Sequence, residues 1–166
     1  MDVRLFGKID YKRARYLFHS DYAIRQALLV DSKAEKEAGT ATLQTAQTSL
    51  RIRHIRSGAP VDEPGELPAV IDTSKGACLT TTIVAKFHYA DEPTRLLRLI
   101  VAAVPHVWLQ ERYNATPEDT IWRTGRNAPT LGEVFRVRLV FSALKHKAHW
   151  RVQTIPMAPA PFVWDE

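Results

Sequence analysis

Residues 78–108 read CLTTTIVAKFHYADEPTRLLRLIVAAVPHVW, and the way this stretch folds decides how the rest of the chain must pack. From Leu79 the odd positions Leu79, Ile83, Ala85, Phe87 and Tyr89 are apolar or aromatic. The even positions Thr80, Thr82, Lys86 and His88 are polar, and Val84 is the exception. A period of two rich in β-branched and aromatic residues predicts a half-buried strand, odd face inward and even face wet. Asp91 and Glu92 then precede Pro93, supplying an N-cap carboxylate, a second acid for the positive helix end and a residue suited to the first turn. A helix is predicted to follow. Its apolar side is Leu96, Leu97, Ile100, Val101, Ala103 and Val104, with Arg95 and Arg98 opposite and Pro105 as its stop. This run is too short and too charged to cross a bilayer.

Toward the N-terminus, Ser20 is a fair cap for a helix through Tyr22, Ile24, Ala27, Leu28 and Asp31, which Lys33, Glu35 and Lys36 extend toward Gly39 with a solvated end. Thr40 to Ser49 is polar, small and strand-capable. In the strand that follows, Leu50 and Ile52 point one way and Arg51 and Arg53 the other, so the arginines form a row on an exposed face or a simple solvated edge. Ser57 to Pro68 (SGAPVDEPGELP) resists regular pairing through its prolines, glycines and acids. Residues 57–68 are expected to form a mobile loop, an exposed protease site or an arm that docks on a neighbouring copy through Pro60, Val61 and Pro64.

Ala69 to Asp72 is expected as a short strand before the central unit, and His106 to Gln110 as another after it. Thr116 to Asp119 reads as the start of a brief helix. Phe135, Val137, Leu139 and Phe141 alternate with Arg136 and Arg138, giving a strand that presents paired guanidinium groups. Leu144 to Ala148, with Lys145 and Lys147, is expected as a basic hairpin tip leading to a strand at Trp150, Val152 and Thr154. The proline-rich tail, residues 156–166, carries Phe162 and Trp164, which either tuck onto the body or meet a partner. The whole is expected to be a single α+β domain over residues 1–166, with a mainly antiparallel sheet of about five strands and two or three helices.

A chain of 166 residues, 45% hydrophobic and 25% charged, is large enough to bury a core without staples. Its one cysteine, Cys78, cannot make an internal disulfide, and is expected as a buried thiol in a reducing compartment. No secretory signal opens the chain, so an intracellular setting rather than secretion is expected. The net charge of +5 suggests an anionic partner, whether nucleic acid, an acidic protein face or lipid headgroups, or else a soluble domain that simply happens to be basic; charge alone does not choose. The opening segment concentrates Lys8, Lys12, Arg13 and Arg15 among Phe6, Tyr11, Tyr16 and Phe18, a composition that suits a headgroup boundary, stacking on unpaired bases, or an ordinary first element.

Catalytic signatures are missing. His54, His88, His106, His146 and His149 are scattered, so no metal site is expected. Ser74-Lys75-Gly76 has the wrong order for a phosphate-cradling loop, no Gly-x-Ser-x-Gly elbow occurs, and Cys78 lacks the flanks of a thiol nucleophile. Neither catalytic residues nor a cofactor is assigned.

The segment Thr80 to Phe87, a charged turn, an arginine-containing stretch and then Val101 to Trp108 together resemble the core of rhabdovirus matrix proteins. The pair Phe135 to Phe141 and Trp150 to Ile155 stands where that family also has paired strands, and length and basic charge suit its smaller, plant-infecting members. The resemblance implies a non-enzymatic protein that self-assembles as a homo-oligomer beneath an envelope, in host cytoplasm or nucleus and in the virion. It also implies partners in the viral nucleoprotein and an anionic membrane surface bound peripherally. Lys8, Lys12, Arg13, Arg15, Lys145 and Lys147 would then meet headgroups or nucleocapsid, each contributing about 1 kcal/mol near an anionic membrane. The alternative is an RNA-binding or capsid-type assembly protein using Arg51, Arg53, Arg136 and Arg138; a small enzyme of unknown type is a third reading.

Overall fold

The computed structural model describes residues 3–5, 14–18, 25–34, 39–74, 76–90, 95–125 and 136–157. Among these, the strands run in chain order as β1 (Val3–Leu5), β2 (Ala14–Phe18), β3 (Gln26–Ala34), β4 (Thr40–Gln44), β5 (Ile52–Arg56), β6 (Ala59–Glu63), β7 (Val70–Thr73), β8 (Gly76–Ala90), β9 (Arg95–Ala103), β10 (Trp122–Thr124), β11 (Arg136–Val140) and β12 (Val152–Pro156). Two short α-helices join them, α1 (Gln110–Tyr113) and α2 (Phe141–Lys147). The α+β class and the mainly antiparallel pairing agree with the sequence expectation, and strands are more numerous than expected.

The large sheet has the order β1-β2-β3-β8-β9-β12, with β7 on β8 as well. Among the described residues its one parallel pair is β3 with β8, and every other pairing is antiparallel. A three-stranded sheet, β10-β11-β4, and the hairpin β5-β6 complete the described strands. Because β8 spans 15 residues, β7 pairs at Gly76 to Leu79 and β9 at Ile83 to Ala90, which lets β3 run along the opposite edge.

The main core lies between these sheets. Val84 of β8, Ile100 and Ala102 of β9 and Val152 of β12 pack with Ala41 and Leu43 of β4, Val137 and Leu139 of β11, and Phe141 and Leu144 of α2. Ala27, Cys78 and the partly buried Ile71 form a second small cluster, so Cys78 is a packed thiol as expected.

Several local expectations are corrected. Arg95–Ala103 is a strand, not a helix: from Leu99 to Val104 every residue is apolar, so helical spacing and alternation fit equally well, and pairing with both β8 and β12 settles the choice. The helix expected from Ser20 through Asp31 is instead β3 over its described part, with Ala27, Leu29 and Asp31 buried in alternation. The faces of β8 are also reversed. Its even residues Thr80, Thr82, Val84 and Lys86 are buried, whereas Leu79, Ile83, Ala85 and Phe87 are half-buried and Tyr89 is exposed.

The reversal has a cause in bonding. Thr82 Oγ1 donates to the Gln47 carbonyl at 2.6 Å, Thr80 Oγ1 to those of Pro68 and Ala69, and Lys86 Nζ to that of Thr40. A polar side chain whose hydrogen bonds are made can be buried, and alternation alone cannot reveal those partners.

Residues 57–68, expected as a loop, contain β6. Ser57 and Gly58, with φ of 50° and 81°, close a two-residue turn of the kind that matches strand twist. Phe141–Lys147 is a helix anchored by buried Phe141 and Leu144 rather than a hairpin tip. Val107–Leu109 is a 3-10 turn leading into α1 where a strand was expected, and no helix starts at Thr116. Most of the tail, from Ala158 onward, lies outside the described residues.

Candidate active site

A strand places residues i and i+2 on one face. On β3 that rule brings Asp31 and Lys33 together, and Lys33 Nζ lies 3.0 Å from Asp31 Oδ2. The carboxylate is buried, at 5% exposure, and is the only buried acid among the described residues. The Lys33 side chain is 22% exposed, so its head reaches toward solvent while the carboxylate stays inside. Asp31 ends a cross-strand row formed with Val84, Ala102 and Val152, whose other members are apolar and buried.

The next row begins with Lys33 and continues through Lys86 and Ile100. Lys86 is completely buried; its ammonium donates to the Thr40 carbonyl and lies 5.8 Å from the centre of the Phe141 ring. Arg138 Nη1 donates to the Thr40 hydroxyl at 3.2 Å, so cations from β8 and β11 converge on the first residue of β4. A carboxylate in this setting can accept a proton from an attacking water, and ammonium groups beside it can stabilise a developing anion. Hydrolytic sites commonly recruit divalent ions for such chemistry. Among the described residues, no group of three or more His, Cys, Asp or Glu side chains is placed to hold one.

The basic residues singled out in the sequence are dispersed. Lys8, Lys12, Arg13, Phe162 and Trp164 lie outside the described residues, and Arg15 is placed only by its position in β2. Arg51 Nε sits 2.8 Å from Asp62 Oδ1, and Arg53 lies 3.5 Å from the other oxygen of that carboxylate and 3.4 Å from Glu111. Arg53 also donates to the Ala115 carbonyl at 2.7 Å. Beneath this network, the Arg51 N–H donates to Gln110 Oε1 at 2.9 Å, and the Gln110 amide donates to the Asn114 carbonyl at 2.9 Å. These arginines therefore fasten the β5-β6 hairpin to α1.

Arg136 and Arg138 share β11 with side chains half-buried, and Lys147 of α2 pairs with Asp119 while Lys145 is exposed. Pro60 and Val61 lie in β6 and Pro64 just beyond it, with only Val61 half-buried. The histidines do not converge: His54 Nδ1 is 3.2 Å from Thr124 Oγ1, His88 accepts from Arg98 at 3.2 Å, and His106 Nε2 is 2.8 Å from the Ala69 carbonyl.

Asp31, Lys33 and Lys86 were missed by sequence reasoning. At 100° per residue a helix sends Asp31 and Lys33 to different sides, and a wet even face on β8 sends Lys86 to solvent. The available signal was the acid-x-lysine spacing read at strand period.

The model of the family described as Type II restriction enzyme SfiI matches residues 1–155. The Type II restriction enzyme SfiI of Streptomyces fimbriatus is 34% identical over 165 residues, covering 92% of this chain and 61% of its own length. The crystal structure of tetrameric restriction endonuclease SfiI bound to cognate DNA superposes with a TM-score of 0.77 at 28% identity, over 95% of this chain and 64% of that one. Restriction endonuclease BglI bound to its DNA recognition sequence gives 0.69 at 18% identity, over 86% and 60%, a likeness of fold alone. This chain thus spans less than two thirds of the length of these relatives.

These matches overturn the likeness to rhabdovirus matrix proteins, and with it the expectation of a non-enzymatic assembly protein. The relatives are DNA-cleaving enzymes. Viral nucleoprotein and an anionic membrane are corrected as partners, and the RNA-binding and capsid-type alternative fits no better. Self-association is consistent with the tetramer of the SfiI crystal structure. Among the described residues, no helix is long and apolar enough to cross a membrane.

Proposed function

Because this chain belongs to the family of the Type II restriction enzyme SfiI, we propose that it binds duplex DNA and hydrolyses the phosphodiester backbone, with Asp31 and Lys33 at the reaction centre. The observation that carries this reading is the Asp31–Lys33 pair, a buried carboxylate within 3.0 Å of an ammonium group at the solvent boundary. The net charge of +5 fits a polyanionic substrate.

Hydrolysis adds water to phosphorus in line with the departing ester oxygen, while negative charge builds on the non-bridging and leaving oxygens. Asp31 accepts a hydrogen bond and then the proton of the attacking water. Lys33 turns from Asp31 to the phosphate and stabilises the charge that develops there. The water's oxygen ends on phosphorus, its proton passes to Asp31, and the leaving oxygen departs protonated by solvent. Binding and chemistry are separable: phosphate contacts spread over many basic groups set affinity, and the β3 pair sets the rate.

The test is cleavage of a mixture of long duplex DNAs by the wild-type chain, Asp31→Asn and Lys33→Met, with filter binding alongside. Wild type should cut, and both variants should bind without cutting. Variants that cleave at the wild-type rate would overturn the assignment.

A further inference from the structure

A reaction centre on β3 engages one phosphate, whereas a DNA strand is held in register by contacts to several. The face of the large sheet that carries Lys33 continues past Lys86 along β8, and the register shows what stands there. Lys33 faces Lys86 and Lys86 faces Ile100; two residues farther on, His88 faces Arg98. Side chains two apart on a strand share a face, so His88 and Arg98 form the next row on the side of Lys86. Strand spacing and rise put the α-carbon of Arg98 about 12 Å from that of Lys33.

Both residues are half-buried and they are joined, Arg98 Nε donating to His88 Nδ1 at 3.2 Å. An imidazole that accepts at Nδ1 carries its proton on Nε2 and is neutral, so it gives the guanidinium a direction without cancelling its charge. Other cations of the fold are answered by acids: Arg51 and Arg53 by Asp62, Lys147 by Asp119 and Lys33 by Asp31. Arg98 has no carboxylate partner among the described residues, and its two terminal nitrogens are left for a bidentate contact. An oriented, half-buried arginine with its charge unspent is suited to an anionic ligand.

We propose that Arg98 grips a backbone phosphate of DNA seated on the Asp31–Lys33 centre, and that His88 is the positioning residue that aims its guanidinium. A strand of duplex DNA carries a phosphate for about every 3.4 Å of helix axis, so Lys33 and Arg98 are spaced to hold different phosphates rather than the same one. The contact fixes where the strand lies on the sheet and carries no sequence information. The assignment rests on the DNA-binding reading proposed above and adds to it a place where the backbone is held.

The test is filter binding of the full chain to a mixture of long duplex DNAs over a salt series, comparing wild type, Arg98→Met, His88→Ala and His88→Asn. Arg98→Met should bind about 10- to 100-fold more weakly at low salt, and its slope of log affinity against log salt should be shallower than that of wild type by about one. A slope equal to that of wild type would overturn the contact. His88→Ala should lose less than Arg98→Met, and His88→Asn, whose side-chain oxygen stands near the place of Nδ1, should recover most of that loss. Added to Arg98→Met, His88→Ala should change nothing further; a full additional loss means that His88 does not act through Arg98 and contradicts its role. The guanidinium nitrogen resonances of Arg98 in the wild-type chain give a reading that needs no variant to fold: they should move when a short duplex is added, and unmoved resonances contradict the contact. A wild-type chain without affinity for duplex DNA defeats the proposed function and this inference with it, whereas a wild-type chain that binds with a steep slope shared by Arg98→Met defeats this inference alone.

Discussion

Two charged arrays occupy this fold, and they differ in where the charge goes. Around β5, β6 and α1, Arg51, Arg53, Asp62 and Glu111 neutralise one another at the surface, with Asp62 and Glu111 side chains 47% and 78% exposed. On β3 and β8, Asp31 and Lys86 are removed from water and Lys33 only partly reaches it. Exposed pairs are worth little and are screened by salt, whereas burying ionised groups costs several kcal/mol before pairing offsets it. A fold that keeps the second kind of array gains little stability from it, and the return is chemistry: a carboxylate held ready beside cations in a low-dielectric setting.

The comparison breaks most visibly at the buried array. Asp31→Asn or Lys33→Met should lower single-turnover DNA cleavage by about 10²–10⁴-fold with little change in DNA affinity. Next comes the packing that holds the two sheets over that array. Leu144 is fully buried in the main core, and Leu144→Ala should cost about 2–5 kcal/mol in denaturant unfolding.

A smaller effect is expected at the hairpin carrying the surface array. Gly58 has φ of 81°, so Gly58→Ala should destabilise by about 1–2 kcal/mol, read as a lower thermal midpoint. Asp62→Ala removes the partner shared by Arg51 and Arg53 and should cost about 0–1 kcal/mol, an effect that shrinks as salt is raised.

The sequence was most informative where one pattern had one explanation. Val137 and Leu139 alternate with Arg136 and Arg138, and β11 follows with the apolar pair buried. The class of fold and the burial of Cys78 were likewise readable. Uniformly apolar runs were ambiguous: Leu99 to Val104 and Ala27 to Val30 satisfy both periods, and only long-range pairing chose the strand. Thr80, Thr82 and Lys86 were misplaced for another reason, since their partners, the carbonyls of Ala69, Gln47 and Thr40, are distant in sequence. The candidate site depended on both errors at once. Asp31 and Lys33 share a face only on a strand, and Lys86 joins them only when the even face of β8 turns inward.

The measurement that bears most directly on the buried array is a side-by-side comparison of Lys33→Met and Asp62→Ala, each assayed for single-turnover cleavage of bound duplex DNA. The account expects Lys33→Met to lose about 10²-fold or more in rate while Asp62→Ala stays within about twofold of wild type. Equal losses in the two variants, or a Lys33→Met chain that cuts as wild type does, would contradict it.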